Sequence, residues 1–235
     1  MIQNPFANMT PVVKNLLMIN VVFFVAAYLL GHAGVFDMDR WLSAYYPDSP
    51  NFRLWQIISY MFMHGGLLHI AFNMIALVSF GPIIEQTIGE KRFLSFYFIC
   101  GIGALACQMA VQAVELHYIV GSFSIRNVGN IALDPLQIQK VQSIYATGLV
   151  GASGAIFGVL IAFGMLYPNL EMMVMPIPVP IKAKYIIPIY IIVELVMGVG
   201  QFAGDSVAHF AHLGGALVGF IVIKSWGYHR RNNFY

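Results

Sequence analysis

Two short stretches of this 235-residue chain place a nucleophilic or basic side chain beside small residues. Ser153 lies in Gly-Ala-Ser-Gly-Ala-Ile-Phe-Gly, which runs from Gly151 to Gly158. His212 follows His209 by three residues, and two glycines come soon after it. A serine and a histidine are the parts of a nucleophilic acyl-transfer site, because the imidazole takes the serine proton and returns it to the leaving group.

A third stretch offers hydrogen-bond donors for the negative charge that acyl transfer develops. It contains His69 and Asn73, which are four residues apart and therefore lie on one face of a helix. A tetrahedral intermediate needs donors for its oxyanion, and these two side chains and the backbone N–H of Ser153 are candidates. Phe157 is four residues after Ser153, so its ring can stack on the imidazole.

Each stretch also has a purely structural interpretation. Small residues often mark close packing between helices, and Gly151 with Ala155 fits that pattern. A single imidazole inside a membrane helix can likewise be structural. Gly215 and Gly219 give the histidine-bearing helix a smooth face, and close packing there would bring His212 within reach of the serine.

The composition indicates that membrane helices must position these residues. Apolar residues make up 59% of the chain and charged residues 9%, against about 25% charged in soluble domains. The mean hydropathy is +0.76. A water-soluble globular protein and a disordered chain are therefore excluded. The net charge is only +2 with scattered Lys and Arg, so we expect no nucleic-acid partner. What remains is an all-α polytopic membrane protein of one domain, embedded in a lipid bilayer.

A spanning helix needs roughly 20 residues, and six apolar segments approach or exceed that length. Two connections are long: 32–54 is rich in aromatic residues that favour the membrane interface, and 115–144 is either a surface loop or a short amphipathic element. The prolines between 176 and 180 predict an extended connection. We predict helices at about 12–31, 55–80, 93–114, 145–167, 185–200 and 207–226.

The distribution of basic residues predicts the orientation. With the N-terminus inside, eight Lys and Arg residues lie inside and four outside. This distribution favours an orientation in which both termini are cytoplasmic. The first apolar run lacks a charged region before it, so we expect no cleavable signal peptide. The sequence carries no signal for an oligomeric state.

Together the three motifs resemble the rhomboid family of intramembrane serine proteases. The stretch from Phe80 to Gly89 also resembles the family, and the resemblance covers about residues 52–222. It implies a six-transmembrane-helix rhomboid-like bundle of the minimal bacterial type, in the bacterial inner (plasma) membrane, with its active site opening to the outer side. It also implies cleavage in or near the transmembrane segments of membrane-protein substrates, without a cofactor or a metal.

The resemblance implies a role for each matching residue. Ser153 would be the nucleophile and His212 the general base, with His69, Asn73 and the Ser153 amide serving the oxyanion. Phe157 takes the position of an aromatic residue that packs on the catalytic histidine. The supporting residues are His209, which is expected beside the base, His64, which is expected to tie the second helix to the 32–54 connection, and the packing glycines Gly154, Gly215 and Gly219.

Two further features stay open at the level of the sequence. Glu194 is the one carboxylate at the depth of the predicted helices, and it is either a gate or substrate-facing group, or a buried hydrogen-bonding or cytoplasmic-side residue. The family uses the segment after the fifth helix, here around 202–205, as a cap over the site.

Other functions fit the residues less well. A catalytically silent rhomboid-like binder of transmembrane segments is the main alternative, but such relatives typically lack the serine or the histidine. A channel or transporter needs polar groups along a path, and the first, third and fourth predicted helices offer almost none. The absence of His-Glu-x-x-His argues against a zinc protease, and the lack of paired carboxylates against an aspartyl protease.

Overall fold

The computed structural model describes residues 9–126, 132–174, 177–200 and 207–228. Helices dominate these residues, so the prediction of an all-α membrane protein is confirmed. A 3-10 turn at Tyr60–Phe62 lies between the third and fourth helices. The helices are α1 Pro11–His32, α2 Met38–Leu42, α3 Gln56–Ser59, α4 Leu67–Ile88, α5 Glu90–Val120, α6 Pro135–Ala146, α7 Ser153–Leu166, α8 Ala183–Gly200 and α9 His209–Ser225.

Among the described helices, α1, α4, α5 and α8 are long and apolar enough to cross a membrane. The helices that carry the serine and the histidine are shorter, with 14 residues in α7 and 17 in α9. At 1.5 Å per residue they measure about 21 and 26 Å, less than the roughly 30 Å of hydrocarbon in a bilayer. If α7 ends at one membrane surface, its first residue therefore lies about 10 Å below the other surface.

The predicted second helix is three separate elements. α3 and the 3-10 turn come first, and α4 begins only at Leu67. Gly65 and Gly66 separate them, and Gly66 has an extended backbone with φ 160°. Two consecutive glycines disfavour a helix. The predicted start of the second helix, at about residue 55, is therefore wrong. The predicted end, at about residue 80, is also wrong, because α4 continues to Ile88.

The third and fourth predicted helices also differ from the structure. α5 continues to Val120 and is about 46 Å long, so its last turns extend beyond the hydrocarbon. The predicted helix 145–167 begins instead at Ser153, after six residues of non-helical chain. The long 115–144 connection contains α6, whose first turn is held by a capping box between Asp134 and Gln137.

The proline-rich connection before α8 is a short antiparallel hairpin. Strand β1 covers Glu171–Val174 and β2 covers Ile177–Lys182, with Glu171 paired to Lys182. The extended conformation predicted from the prolines is therefore present in β2.

Helix α7 is central, with α4, α5, α8 and α9 packed around it. The 32–54 connection covers one end of this bundle, where the Asp48 carboxylate accepts hydrogen bonds from Ser124 and Tyr145 and pairs with Arg126. Burial acts to raise the pKa of Asp48, but the hydrogen bonds from Tyr145 and Ser124 and the charge of Arg126 outweigh it and hold that pKa below its usual value. The 32–54 connection and the connection between α5 and α7 are thus joined to each other near the start of α7.

Candidate active site

The structure brings Ser153 and His212 together. The serine Oγ lies 2.8 Å from the histidine Nε2, although the two residues are 59 positions apart in the chain. Ser153 is the first residue of α7 and is half-buried, and the side chain of His212 is 12% exposed. Such a pair can transfer the hydroxyl proton to the imidazole.

Backbone contacts between α7 and α9 set this distance. A Cβ on Gly215 would collide with the carbonyl oxygen of Gly154, and one on Gly219 would lie 2.7 Å from the Cα of Gly158. Only glycines allow the two helix backbones to come so close. Since His212 is one turn before Gly215, the close approach carries its ring to the start of α7.

The chain just before the serine is held by two other parts of the molecule. Ala44 and Leu149 exchange a pair of backbone hydrogen bonds of 2.9 and 2.8 Å. The Gly151 N–H donates to the carbonyl of Tyr60, whose hydroxyl donates to the carbonyl of Gly101. The 32–54 connection, the 3-10 turn and α5 therefore fix where α7 begins.

Stacked aromatic rings hold the imidazole by its face. Phe157 stacks on His212 with 4.4 Å between the ring centres and 9° between the planes. Tyr190 of α8 stacks on Phe157, 5.6 Å away and at 17°. Sequence reasoning missed Tyr190, because no local pattern links a residue of α8 to a ring on α7.

The side chain of His69 reaches the space beside the serine. Its Nδ1 accepts a hydrogen bond from the Gly65 N–H, at 3.3 Å, so its Nε2 carries the proton and can donate. A Cβ placed on Gly151 would lie 2.9 Å from that Nε2 and 3.5 Å from the Ser153 Oγ. The imidazole N–H and the serine oxygen therefore face one small volume, which Gly151 leaves open.

Asn73 and the first turn of α7 offer further donors. Asn73 is 6% exposed, and its Nδ2 is buried without a hydrogen-bond partner among the described residues. The first N–H groups of a helix have no partner within the helix, and Ser153 is the first residue of α7. The positive end of the helix dipole also favours negative charge there. These groups can stabilise an oxyanion.

Glu194 of α8 meets both histidines of α9. Its Oε2 lies 2.9 Å from the Nδ1 of His212 and 2.6 Å from the Nδ1 of His209. Of the alternatives left open by the sequence, a buried hydrogen bond is the one the structure shows. The ligand atoms of these three residues lie within 4.8 Å of one another, so the same donors are also a possible metal-ligand set.

The expected tie between His64 and the 32–54 connection differs from the structure. In the described part of the chain, neither ring nitrogen of His64 has a hydrogen-bond partner, and the ring packs edge-on against His69 at 5.2 Å. The connection is held instead by Ser59, whose hydroxyl donates to the carbonyl of Leu42, and by Gln56, which donates to the carbonyl of Trp41. The expected cap at 202–205 lies outside the described residues.

Comparison with known proteins then identifies the family. The family model described as the Rhomboid domain matches residues 51–229, about three quarters of the chain. This chain belongs to the rhomboid family. Rhomboid proteases are intramembrane serine proteases, although some family members are inactive. The chain is therefore an integral membrane protein whose family membership supports intramembrane protease activity.

Two bacterial proteins and one protein of Toxoplasma gondii are among the relatives that this chain resembles. The chain is 26% identical over 219 residues to YdcA of Bacillus subtilis (strain 168), whose name assigns it provisionally to the rhomboid proteases, and the match covers 92% of this chain and 89% of YdcA. It is 25% identical to Rhomboid-like protease 3 of Toxoplasma gondii, over 77% of this chain and 55% of that protein. It is 28% identical to the Rhomboid protease AarA of Providencia stuartii, over 72% of this chain and 54% of AarA. The chain thus spans about half the length of the latter two.

Proposed function

We propose that this rhomboid is an intramembrane serine endopeptidase that uses Ser153 and His212. The observation that carries the proposal is the 2.8 Å contact between the serine Oγ and the histidine Nε2, inside a membrane helix bundle. Its substrates are transmembrane segments of other membrane proteins, cleaved in or near the bilayer.

The reaction begins with proton transfer. The Nε2 of His212 takes the hydroxyl proton as Oγ of Ser153 attacks the peptide carbonyl, which forms a tetrahedral oxyanion. The same imidazole then gives the proton to the leaving amine as the C–N bond breaks. Water deprotonated by His212 attacks the resulting ester, releases the new carboxyl end and restores the serine.

Donors around the serine would stabilise the oxyanion in both steps. The N–H of Ser153, the Nε2–H of His69 and the amide of Asn73 supply hydrogen bonds from α7 and α4. In a site shielded from water such preorganised donors are worth more than in solution, and each typically contributes about 100-fold or more to kcat.

The depth of the site selects the kind of substrate. A transmembrane helix hides its carbonyls in hydrogen bonds, so it must unwind locally before Ser153 can attack. Substrates with glycine, proline or other small residues near the cleaved bond are therefore favoured. In the orientation with both termini cytoplasmic, α7 begins on the outer half of a bacterial inner membrane, where water can reach the site.

Cleavage in proteoliposomes tests this function. The purified protein is reconstituted with a transmembrane reporter whose helix carries Gly-Ala pairs, and products are detected by mass spectrometry. We expect cleavage by the native protein and none by Ser153→Ala or His212→Ala. The matched controls Ser95→Ala and His32→Ala change exposed side chains and should cleave normally. Cleavage by Ser153→Ala, or a native protein that binds the reporter without cleaving it, would contradict the proposal.

A further inference from the structure

Glu194 is a buried carboxylate with two specific partners. It is 8% exposed on α8, and one of its oxygens contacts the Nδ1 atoms of both His209 and His212. A carboxylate at membrane depth is unfavourable unless polar groups surround it, so its presence on this helix face requires an explanation. The two imidazoles supply the polar surroundings from the neighbouring helix.

The hydrogen-bond chemistry of these atoms selects one tautomer of His212. An ionised carboxylate only accepts hydrogen bonds, so the Nδ1 atom that contacts it must carry a proton. In a neutral imidazole the Nε2 then has the lone pair. That is the atom that lies 2.8 Å from the serine Oγ. The contact with Glu194 therefore leaves His212 ready to accept the serine proton.

Helix α8 holds the same imidazole in a second way. Tyr190 is one turn before Glu194, and it stacks on Phe157, which in turn stacks on His212. The carboxylate thus fixes one edge of the ring and the aromatic pair fixes its face. Helices α8 and α9 are close to each other near His209, since a Cβ on Gly198 would lie 3.0 Å from the His209 Cβ.

We propose that Glu194 is a positioning residue for the reaction, which extends the Ser153–His212 pair to a Ser–His–Glu arrangement with His209 as a second donor to the same carboxylate. The inference rests on the proposed protease function. In it, Glu194 keeps the Nδ1 proton of His212 in place, and it stabilises the imidazolium that forms when the serine proton is transferred. His209 orients the carboxylate and does not touch the reacting atoms.

Substitution of Glu194 separates this role from a structural one. Glu194→Gln keeps the shape of the side chain but removes its charge and can donate to Nδ1, which favours the wrong tautomer. We expect kcat to fall by about 100-fold or more while KM stays within about twofold, because the wrong tautomer costs as much as about 10⁴-fold in kcat in a Ser–His–Asp triad and substrate contacts are unchanged. Glu194→Asp keeps the charge and should recover part of kcat. Glu171→Gln, an exposed change on β1, is the control and should leave kcat and KM unchanged.

A measurement that does not need activity keeps the inference separate from the proposed function. NMR of isotope-labelled histidine in the Ser153→Ala background reports which ring nitrogen of His212 carries the proton. We expect the Nδ1–H tautomer with Glu194 present and a loss of that preference in Glu194→Gln. If the native protein cleaves nothing, the proposed function fails, while the tautomer measurement still tests the contact.

Besides a His212 ring that lacks the Nδ1–H preference with Glu194 present, three results of the cleavage assays would overturn the inference. One is native kcat in Glu194→Gln beside an inactive Ser153→Ala. Another is a loss of kcat that follows a lowered thermal stability and is not recovered by Glu194→Asp. The third is activity that EDTA abolishes and Zn²⁺ restores, which would make Glu194, His209 and His212 a metal site instead. We expect EDTA to leave cleavage unchanged.

Discussion

At the scale of single residues, the site depends on space as much as on reactive groups. Gly151 has φ +126°, a conformation that residues with a side chain rarely adopt, and the space where its Cβ would be lies between His69 and Ser153. A carbonyl oxygen that becomes an oxyanion needs a position near both the serine and the donors. Gly151 therefore leaves open the place where that oxygen can sit.

Filling this space should stop the reaction without unfolding the protein. We expect Gly151→Ala to lower kcat by about 100-fold or more, as loss of an oxyanion donor does. Gly121→Ala is the matched control, because Gly121 has φ +71° but open space around its Cβ position. Both variants carry backbone strain of about 1–3 kcal/mol, and only the first fills the site. Equal cleavage rates for the two variants in proteoliposomes would contradict this role of Gly151.

The sequence was informative about residue types and less so about their partners. Ser153 and His212 could be placed in one site because each has glycines at helical spacing beside it. Tyr190 could not be found, since its contact with Phe157 depends on how α8 is rotated against α7. For Glu194 the sequence showed only an unusual carboxylate, because the choice between its roles depends on which side chains α9 turns towards it.

At the scale of elements, the positions of two short helices determine the reactive distance. Helices α7 and α9 touch through backbone atoms at two glycine pairs, one turn apart. Interiors are packed closely enough that such contacts do not yield easily. A separation of the helices at these glycines therefore moves His212 away from Ser153.

A methyl group at this contact tests the connection between packing and catalysis. Gly215→Ala should push α9 from α7, lower the thermal stability and reduce kcat by about 100-fold, because a displacement near 1 Å at a reacting group has that effect. Gly31→Ala adds the same methyl group in α1, where nothing lies within 4 Å, and should be at least as stable as the native protein. Native kcat in Gly215→Ala would show that the close approach does not set the Ser–His distance.

The predicted and observed elements differ where the chain turns inside an apolar stretch. The structure has α1, α8 and α9 within two residues of the predicted bounds, since polar residues or prolines flank them. The stretch from 55 to 80 contains no Asp, Glu, Lys or Arg, so hydropathy alone cannot show that Gly65 and Gly66 end one element before α4 begins. The break matters for function because it leaves the Gly65 N–H available to His69.

At the scale of the whole molecule, membrane orientation decides which compartment the site faces. Basic residues favour cytoplasmic termini, which would place the α4–α5 junction inside and the end of α5 outside. The start of α7 then lies on the outer half of the bilayer. The 32–54 connection, joined to Ser124 and Arg126 through Asp48, would cover the outer face.

Cysteine labelling in intact cells tests this orientation. With Cys100 and Cys107 replaced by alanine, Tyr118→Cys should react with a membrane-impermeant maleimide, because Tyr118 is 92% exposed near the end of α5 that this orientation would place outside. Glu90→Cys, at the exposed start of the same helix, should react only after the cells are lysed. The reverse pattern would place the active site towards the cytoplasm.

The central claim is that His212 activates Ser153, and a fluorophosphonate probe tests it without a substrate. Fluorophosphonates form a covalent bond with activated serine hydroxyls, and peptide mapping by mass spectrometry locates the adduct. We predict an adduct on Ser153 in the detergent-purified native protein and none anywhere in Ser153→Ala or His212→Ala. A native protein that stays unlabelled, beside an active rhomboid protease that reacts in the same detergent, would contradict the claim and favour a rhomboid that binds transmembrane segments without cleaving them.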